Sequence, residues 1–277
     1  MLKYRNIKNA EATAKFWGKT LTKQEWYKIE AAANDNTEIL VYDVIGWPFI
    51  EADAFVRDLA SIKSKKITLR INSPGGDVFD GVAIFNALKN KDAEIITRVE
   101  GLAASIASII ALAGDEIQMH KSAMYMIHDP WVLVAGNQHD LRDIADVLAK
   151  IGDNMLDIYY DKVGGKKREL KQLMKDETWF KASEAKEFGL IDTVLETEKK
   201  VNALFDLSMF ANAPEEIKTE IEGRDLTLRE LERALRDAGA SRSYAARVAA
   251  GSRDISRRDS AKAEKLETLI NLIRGGK

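Results

Sequence analysis

Cysteine is absent from the 277 residues. That excludes disulfides and thiolate-held metals, and it accords with a reducing compartment. Histidine is scarce: the three residues His120, His128 and His139 offer no clustered imidazoles for zinc. No metal and no cofactor is expected. Charge of one sign is not in excess, with 42 Lys and Arg against 44 Asp and Glu and a formal net charge of −2. Bulk charge therefore gives no sign of a nucleic-acid binder. Long apolar runs are missing too. The longest, 102–113, is too short to cross a bilayer as a helix. Residues 1–30 are charged and aromatic with no continuous apolar core, so no secretory signal is expected. What is present is 45% hydrophobic residues, enough for a sizeable core. The expectation is a cytoplasmic protein that binds no membrane.

Periodicity orders the rest. Trp17, Trp26 and Tyr27 suit a short docked helix that ends near Ala31-Ala32-Ala33 and gives way to a loop. Residues 38–45 read as a first buried strand, broken by Gly46-Trp47-Pro48. Helical spacing follows over 51–62, then a strand over 66–71, the turn Asn72-Ser73-Pro74-Gly75-Gly76, and a helix capped by Asp77. A third strand, 93–99, leads into a short apolar helix that begins around Gly101-Leu102-Ala103-Ala104-Ser105-Ile106. Short strands follow at 117–119 and 123–127, and 132–135 reads as a strand or a groove edge. A long helix over 137–163 is ended by Gly164-Gly165. A helix at 167–175, a loop at 176–180, a helix at 182–188 and a last strand at 190–195 complete the pattern. Alternating strands and helices argue for an α/β domain over 37–198, preceded by an extension over 1–36. Beyond it, 199–225 reads as a linker and 226–277 as a small helical tail, with a capping box at Thr227 and Glu230. Arginines in the tail are interleaved with Asp237, Asp254 and Asp259, the pattern of a solvated face more than of a DNA-reading helix.

Three features bear on chemistry. Ser105 interrupts an apolar helix near its start, where unpaired N–H groups and the positive end of the helix dipole favour a developing oxyanion. A small residue packed in a core helix would read the same way. Pro74-Gly75-Gly76 lets backbone approach a ligand closely, and without a following Gly-Lys-Ser/Thr it is not a phosphate loop. His128 follows a buried strand, whereas His120 and His139 lie in polar settings, and imidazole suits a general base at neutral pH. Asp176, Glu177 and Asp192 are placed by position to orient it.

These motifs, in this order and approximate spacing, resemble the ClpP family of serine peptidases: Asn72-Ser73-Pro74-Gly75-Gly76, Gly101-Leu102-Ala103-Ala104-Ser105, Met126-Ile127-His128-Asp129-Pro130, and Gly189-Leu190-Ile191-Asp192. The resemblance implies an α/β fold of the ClpP/crotonase-like kind, a spiral of β-α units, carrying here a C-terminal helical tail. It implies Ser105 as nucleophile, His128 as base, and the N–H groups of Gly76 and Ile106 as oxyanion hole. Counting back from Gly189 puts the family's aspartate at Glu177, with Asp176 as the alternative. The helix over 137–163 resembles the family's handle helix, which interlocks two rings, so a ring-shaped homo-oligomer acting on protein substrates is implied.

ClpP subunits end soon after the last strand, whereas this chain continues to residue 277. Glu177-Thr178-Trp179-Phe180 and the stretch 232–239 resemble the ClpP-like head-maturation proteases of tailed phages. That implies cleavage of scaffold and capsid precursors in the host cytoplasm, within the prohead, with a tail open to self-cleavage. The alternatives are a ClpP-type subunit fed by a separate ATP-dependent unfoldase, a catalytically silent assembly protein, and a crotonase-like acyl-CoA enzyme. The last would not need Ser105 and His128 at these points.

Overall fold

The computed structural model describes residues 27–31, 36–46, 48–132, 134, 136–165, 167–196, 207 and 210–214. All lie in one compact unit of the chain, Thr13–Thr219; the other unit, Met1 with Lys3–Ala12 and Glu220–Lys277, falls outside them. Trp17, Trp26 and the capping box at Thr227 and Glu230 therefore lie outside the described residues.

Eight strands form one sheet. β1 (Tyr27–Ala31) runs antiparallel to β2 (Asn36–Val41), which is parallel to β3 (Lys66–Ser73), itself parallel to β4 (Glu94–Ala104). Helices α1 (Ala52–Ser61) and α2 (Val78–Lys89) make the crossovers that parallel neighbours require. β4 is the pivot. Its first half, Ile96 to Val99, pairs with β5 (Glu116–His120), and its second half, Leu102 to Ala104, pairs with β6 (Met124–Ile127). β8 (Thr193–Leu195) continues the sheet beyond β5, and β7 (Thr178–Lys181) lies antiparallel on β6. The remaining helices are α3 (Ile106–Ala111), α4 (Gln138–Val163), α5 (Lys167–Lys175) and α6 (Ala182–Phe188). Among the described residues no helix is long and apolar enough to cross a membrane.

Side chains alternate across a strand, so each strand serves two faces. Ile39, Val41, Ile67, Leu69, Ile71, Ile95, Val99, Ala103, Tyr125 and Ile127 face the main core with α1, α2 and α3. The intervening residues Leu102, Ala104 and Met126 face a second, smaller cluster on the other side of the sheet. That cluster is completed by Leu207, Phe210 and Ala213, at 0%, 2% and 5% exposure. These three residues lie within the stretch 199–225 expected as linker.

Three expectations on local structure are corrected. Tyr27–Ala31 is a strand, because its alternating side chains pair with β2 while Tyr27 stacks on Phe55. Gly101 to Ala104 continues β4 instead of starting a helix, because its small apolar residues are buried on both faces of the sheet. Residues 178–180, expected within a loop at 176–180, belong to β7, an edge strand that β6 supplies with partners. Val132 and Val134 have no regular structure.

Candidate active site

The site forms where β4 ends. Ser105 sits between β4 and α3 with φ 54° and ψ −131°, a left-handed conformation that L residues rarely adopt. Its N–H donates to the Met126 carbonyl at 3.1 Å, which ties the turn to β6. Its carbonyl accepts from the Ser108 N–H at 2.9 Å and from the Ser108 hydroxyl. Ser108 also bonds Tyr159 of α4, and Tyr125 donates to the Ser108 carbonyl. Three buried hydroxyls thus brace the turn from beneath. The sharp change of direction projects the serine side chain off the strand end.

Parallel pairing of Ala104 with Met126 sets the register that brings His128 alongside. His128 Nε2 lies 2.7 Å from Ser105 Oγ. The next N–H, of Asp129, donates to the Met174 carbonyl at 3.0 Å and fixes the chain leaving β6. His128 is 6% exposed, and burial lowers its pKa from the usual imidazole range to about 4. The ring is therefore neutral at pH 7 and able to accept a proton at Nε2.

The glycine pair closes in from β3. Ile45 N–H donates to the Gly75 carbonyl at 2.8 Å, and Asp77 N–H donates to the Ile45 carbonyl at 2.9 Å. In such a parallel bridge the intervening Gly76 turns its own N–H away from Ile45. Gly76 has φ 146°, and a Cβ there would sit 2.0 Å from the Ile45 oxygen. At Gly75 a Cβ would meet the Ser105 Cβ at 2.7 Å and the Ala104 oxygen at 2.8 Å. Only glycine allows this backbone so close to the serine. Ile106 is the first residue of α3, so its N–H has no partner within the helix.

The sheet therefore brings together Ser105, His128, the glycine pair and Ile106. Among the described residues it brings no carboxylate to the histidine. Pairing of Ile127 with Thr178 places Glu177 across from His128, but both Glu177 oxygens are engaged elsewhere. Oε1 accepts from the Asn212 N–H at 2.7 Å and from the Trp179 indole at 3.4 Å, and Oε2 accepts from the Ala211 N–H at 3.1 Å. The Asp176 carboxylate accepts from Gln172 of the preceding helix, α5. Asp192, the third position weighed, binds Lys162 and the Ile117 N–H. The expected contact of Glu177 or Asp176 with His128 is thus not made, because the Ala211 and Asn212 backbone and Gln172 hold the two side chains. The Phe210 ring meets His128 edge-on, 5.7 Å between centroids.

Sequence reasoning missed Tyr125, Tyr159 and Phe210. The two tyrosines sit in apolar periodic stretches and read as core. The signal of Phe210 is an aromatic residue inside an otherwise linker-like segment.

Comparison with known proteins identifies the family. The Clp protease family model matches residues 22–198. The ATP-dependent Clp protease proteolytic subunit 1 of Protochlamydia amoebophila is 30% identical over 184 residues, covering 64% of this chain and 88% of that protein. The protein of the same name from Streptomyces coelicolor is 34% identical over 144 residues, covering 50% and 64%. The one from Chlamydia abortus is 32% identical over 133 residues, covering 47% and 69%. The chain belongs to the Clp protease family, whose members are serine peptidases that form oligomeric rings and act on protein substrates.

Proposed function

We propose that this chain is a serine endopeptidase in which Ser105 is the nucleophile and His128 the general base. The observation that carries the reading is the 2.7 Å contact of Ser105 Oγ with a buried, neutral His128, at a serine held in a left-handed turn. His128 Nε2 takes the serine proton as Oγ attacks the peptide carbonyl. The N–H groups of Gly76 and Ile106 hold the tetrahedral oxyanion. The imidazolium then gives its proton to the leaving amine, and an acyl-serine remains. Water, deprotonated by His128, releases the acid and restores Ser105. Glu177, across from His128 in the β6–β7 register, is the carboxylate placed to orient Nδ1 once it gives up its bonds to Ala211 and Asn212, with Asp176 as the alternative.

The substrate is a protein, and two readings of its source follow from different observations. The stretch beyond residue 198 and Glu177-Thr178-Trp179-Phe180 favour a head-maturation protease that cuts phage capsid and scaffold precursors in the bacterial cytoplasm. The names of the relatives favour a proteolytic subunit served by a separate ATP-dependent partner.

A fluorophosphonate probe tests the chemistry. One adduct is expected on the wild type and none on Ser105→Ala or His128→Ala, and turnover in these variants falls roughly a million-fold. An adduct on Ser105→Ala overturns the assignment. Cleavage of purified capsid precursor without ATP supports the maturation role, whereas a requirement for an unfoldase and ATP supports the other.

A further inference from the structure

The apolar cluster on the second face of the sheet lies beside the reactive pair and is already filled. Leu102 and Ala104 lead directly to Ser105, and Met126 lies two residues before His128. Met124 and Trp179 flank them. Into this recess the chain places Leu207, Phe210 and Ala213, at the three-residue spacing of a tight turn. Phe210 is the centre of the contact. Its ring stands edge-on to Trp179 and to His128, each at 5.7 Å. A second set of contacts is polar. The Glu177 carboxylate accepts the N–H groups of Ala211 and Asn212, and the Asn212 side chain donates to the Asp176 carbonyl at 2.8 Å. Among the described residues His128 hydrogen-bonds only Ser105.

These two sets of contacts point the same way. An apolar recess beside a peptidase nucleophile is a side-chain subsite, and here a bulky aromatic residue of the same chain fills it. The carboxylate best placed to serve His128 is used to cap the backbone of that same segment. A carboxylate accepting two N–H groups is well satisfied, so it stays there while the segment is docked.

We propose that residues 207–214 are a built-in ligand of the peptidase site: Phe210 occupies an aromatic-accepting subsite formed by Leu102, Met124, Met126 and Trp179, and the segment holds Glu177 away from His128. Substrates with a bulky apolar residue compete with it for the recess. Displacement frees Glu177 to accept from His128 Nδ1 and completes the catalytic set. This rests on the peptidase reading above.

The test uses the full chain as wild type, Phe210→Ala and Phe210→Leu, with the rate of Ser105 labelling by a fluorophosphonate as readout. Loss of the buried ring shifts the docked equilibrium, so Phe210→Ala is expected to label about ten- to a hundredfold faster. Phe210→Leu stays near the wild type. A synthetic peptide of residues 207–214, added in excess, slows Phe210→Ala again. A second measurement does not depend on any variant folding. Amide exchange over 207–214 is followed in the wild type before and after reaction with an aromatic peptidyl phosphonate, and a loss of protection at Ala211 and Asn212 is expected. Equal labelling of wild type and Phe210→Ala, or unchanged protection in the phosphonylated wild type, overturns the inference and leaves the peptidase reading standing. A folded wild type and Phe210→Ala that both fail to label overturn the peptidase reading, and the inference with it.

Discussion

At the scale of single residues, function and stability pull against each other at Ser105. A non-glycine residue at φ 54° and ψ −131° carries strain of about 1–3 kcal/mol, which the neighbouring hydrogen bonds to Met126 and Ser108 hold in place. Ser105→Gly is expected to raise stability by about 1 kcal/mol and to abolish probe labelling. Ser105→Ala keeps the strain and is expected to abolish labelling with no such gain. Parallel thermal melts of the two variants decide it, and an equal effect on both would mean the turn is unstrained. His128 gives a second test. Burial depresses its folded-state pKa to about 4, below the value near 6.5 of an exposed imidazole. The unfolded chain thus binds a proton that the folded chain refuses. The stability held by the neutral ring is complete above about pH 6.5 and is lost as pH falls toward 4. The loss is on the order of 3 kcal/mol. Urea midpoints measured from pH 7 to pH 4 are expected to fall more steeply for the wild type than for His128→Gln, and parallel curves would show the ring to be solvated.

At the scale of elements, the site depends on how α2 meets α3. Gly81 lies at the end of the first turn of α2, where alanine would ordinarily favour the helix. A Cβ at Gly81 would lie 2.1 Å from Ile106 Cγ1 and 3.2 Å from its Cβ. Ile106 is β-branched and stiff, so rotation about χ1 does not clear its own Cβ. Gly81→Ala must therefore shift the start of α3, and with it the N–H proposed as an oxyanion donor. The expected result is a drop in kcat of about a hundredfold with KM little changed, and a stability loss of about 1–3 kcal/mol. Steady-state kinetics beside a thermal melt check both, and unchanged kcat would detach Ile106 from the reaction. Elements with strong periodicity were legible in the sequence: β3, the α2 cap at Asp77, and the long helix α4 all stand where their patterns put them. Those that depend on a distant partner were not. β1 and β7 are short edge strands whose identity comes from pairing with β2 and β6. The same holds within the site. Ser105, His128 and the glycine pair sit at ends of regular elements and could be placed by motif. Whether Glu177 meets His128 is decided by a segment more than thirty residues later, at Ala211 and Asn212, which no local pattern reveals.

At the scale of the whole molecule, the exposed large apolar side chains among the described residues are Phe79 on α2, Trp131 and Val132 ahead of α4, and Leu141, Val147 and Tyr160 along α4. The C-terminal half of that helix is anchored by Met155, Leu156 and Tyr159, which are buried against the main core. In its first half Ile144 alone is buried, while Leu141 and Val147 are 45% and 44% exposed. Apolar side chains open to water on one helix are a candidate contact surface. Membership of a ring-forming family makes further copies of this chain the natural partner. The two levels of organisation then predict different costs for one change. In an isolated subunit Leu141→Asp with Val147→Asp touches exposed positions and should alter stability by no more than about 0.5 kcal/mol each. In an assembly it buries two carboxylates without partners, which an interface does not tolerate. Light scattering is therefore expected to give a smaller particle for the double variant than for the wild type, with the circular dichroism spectrum unchanged. An unaltered mass would free α4 from any part in assembly and send the search for the interface to another face of the sheet.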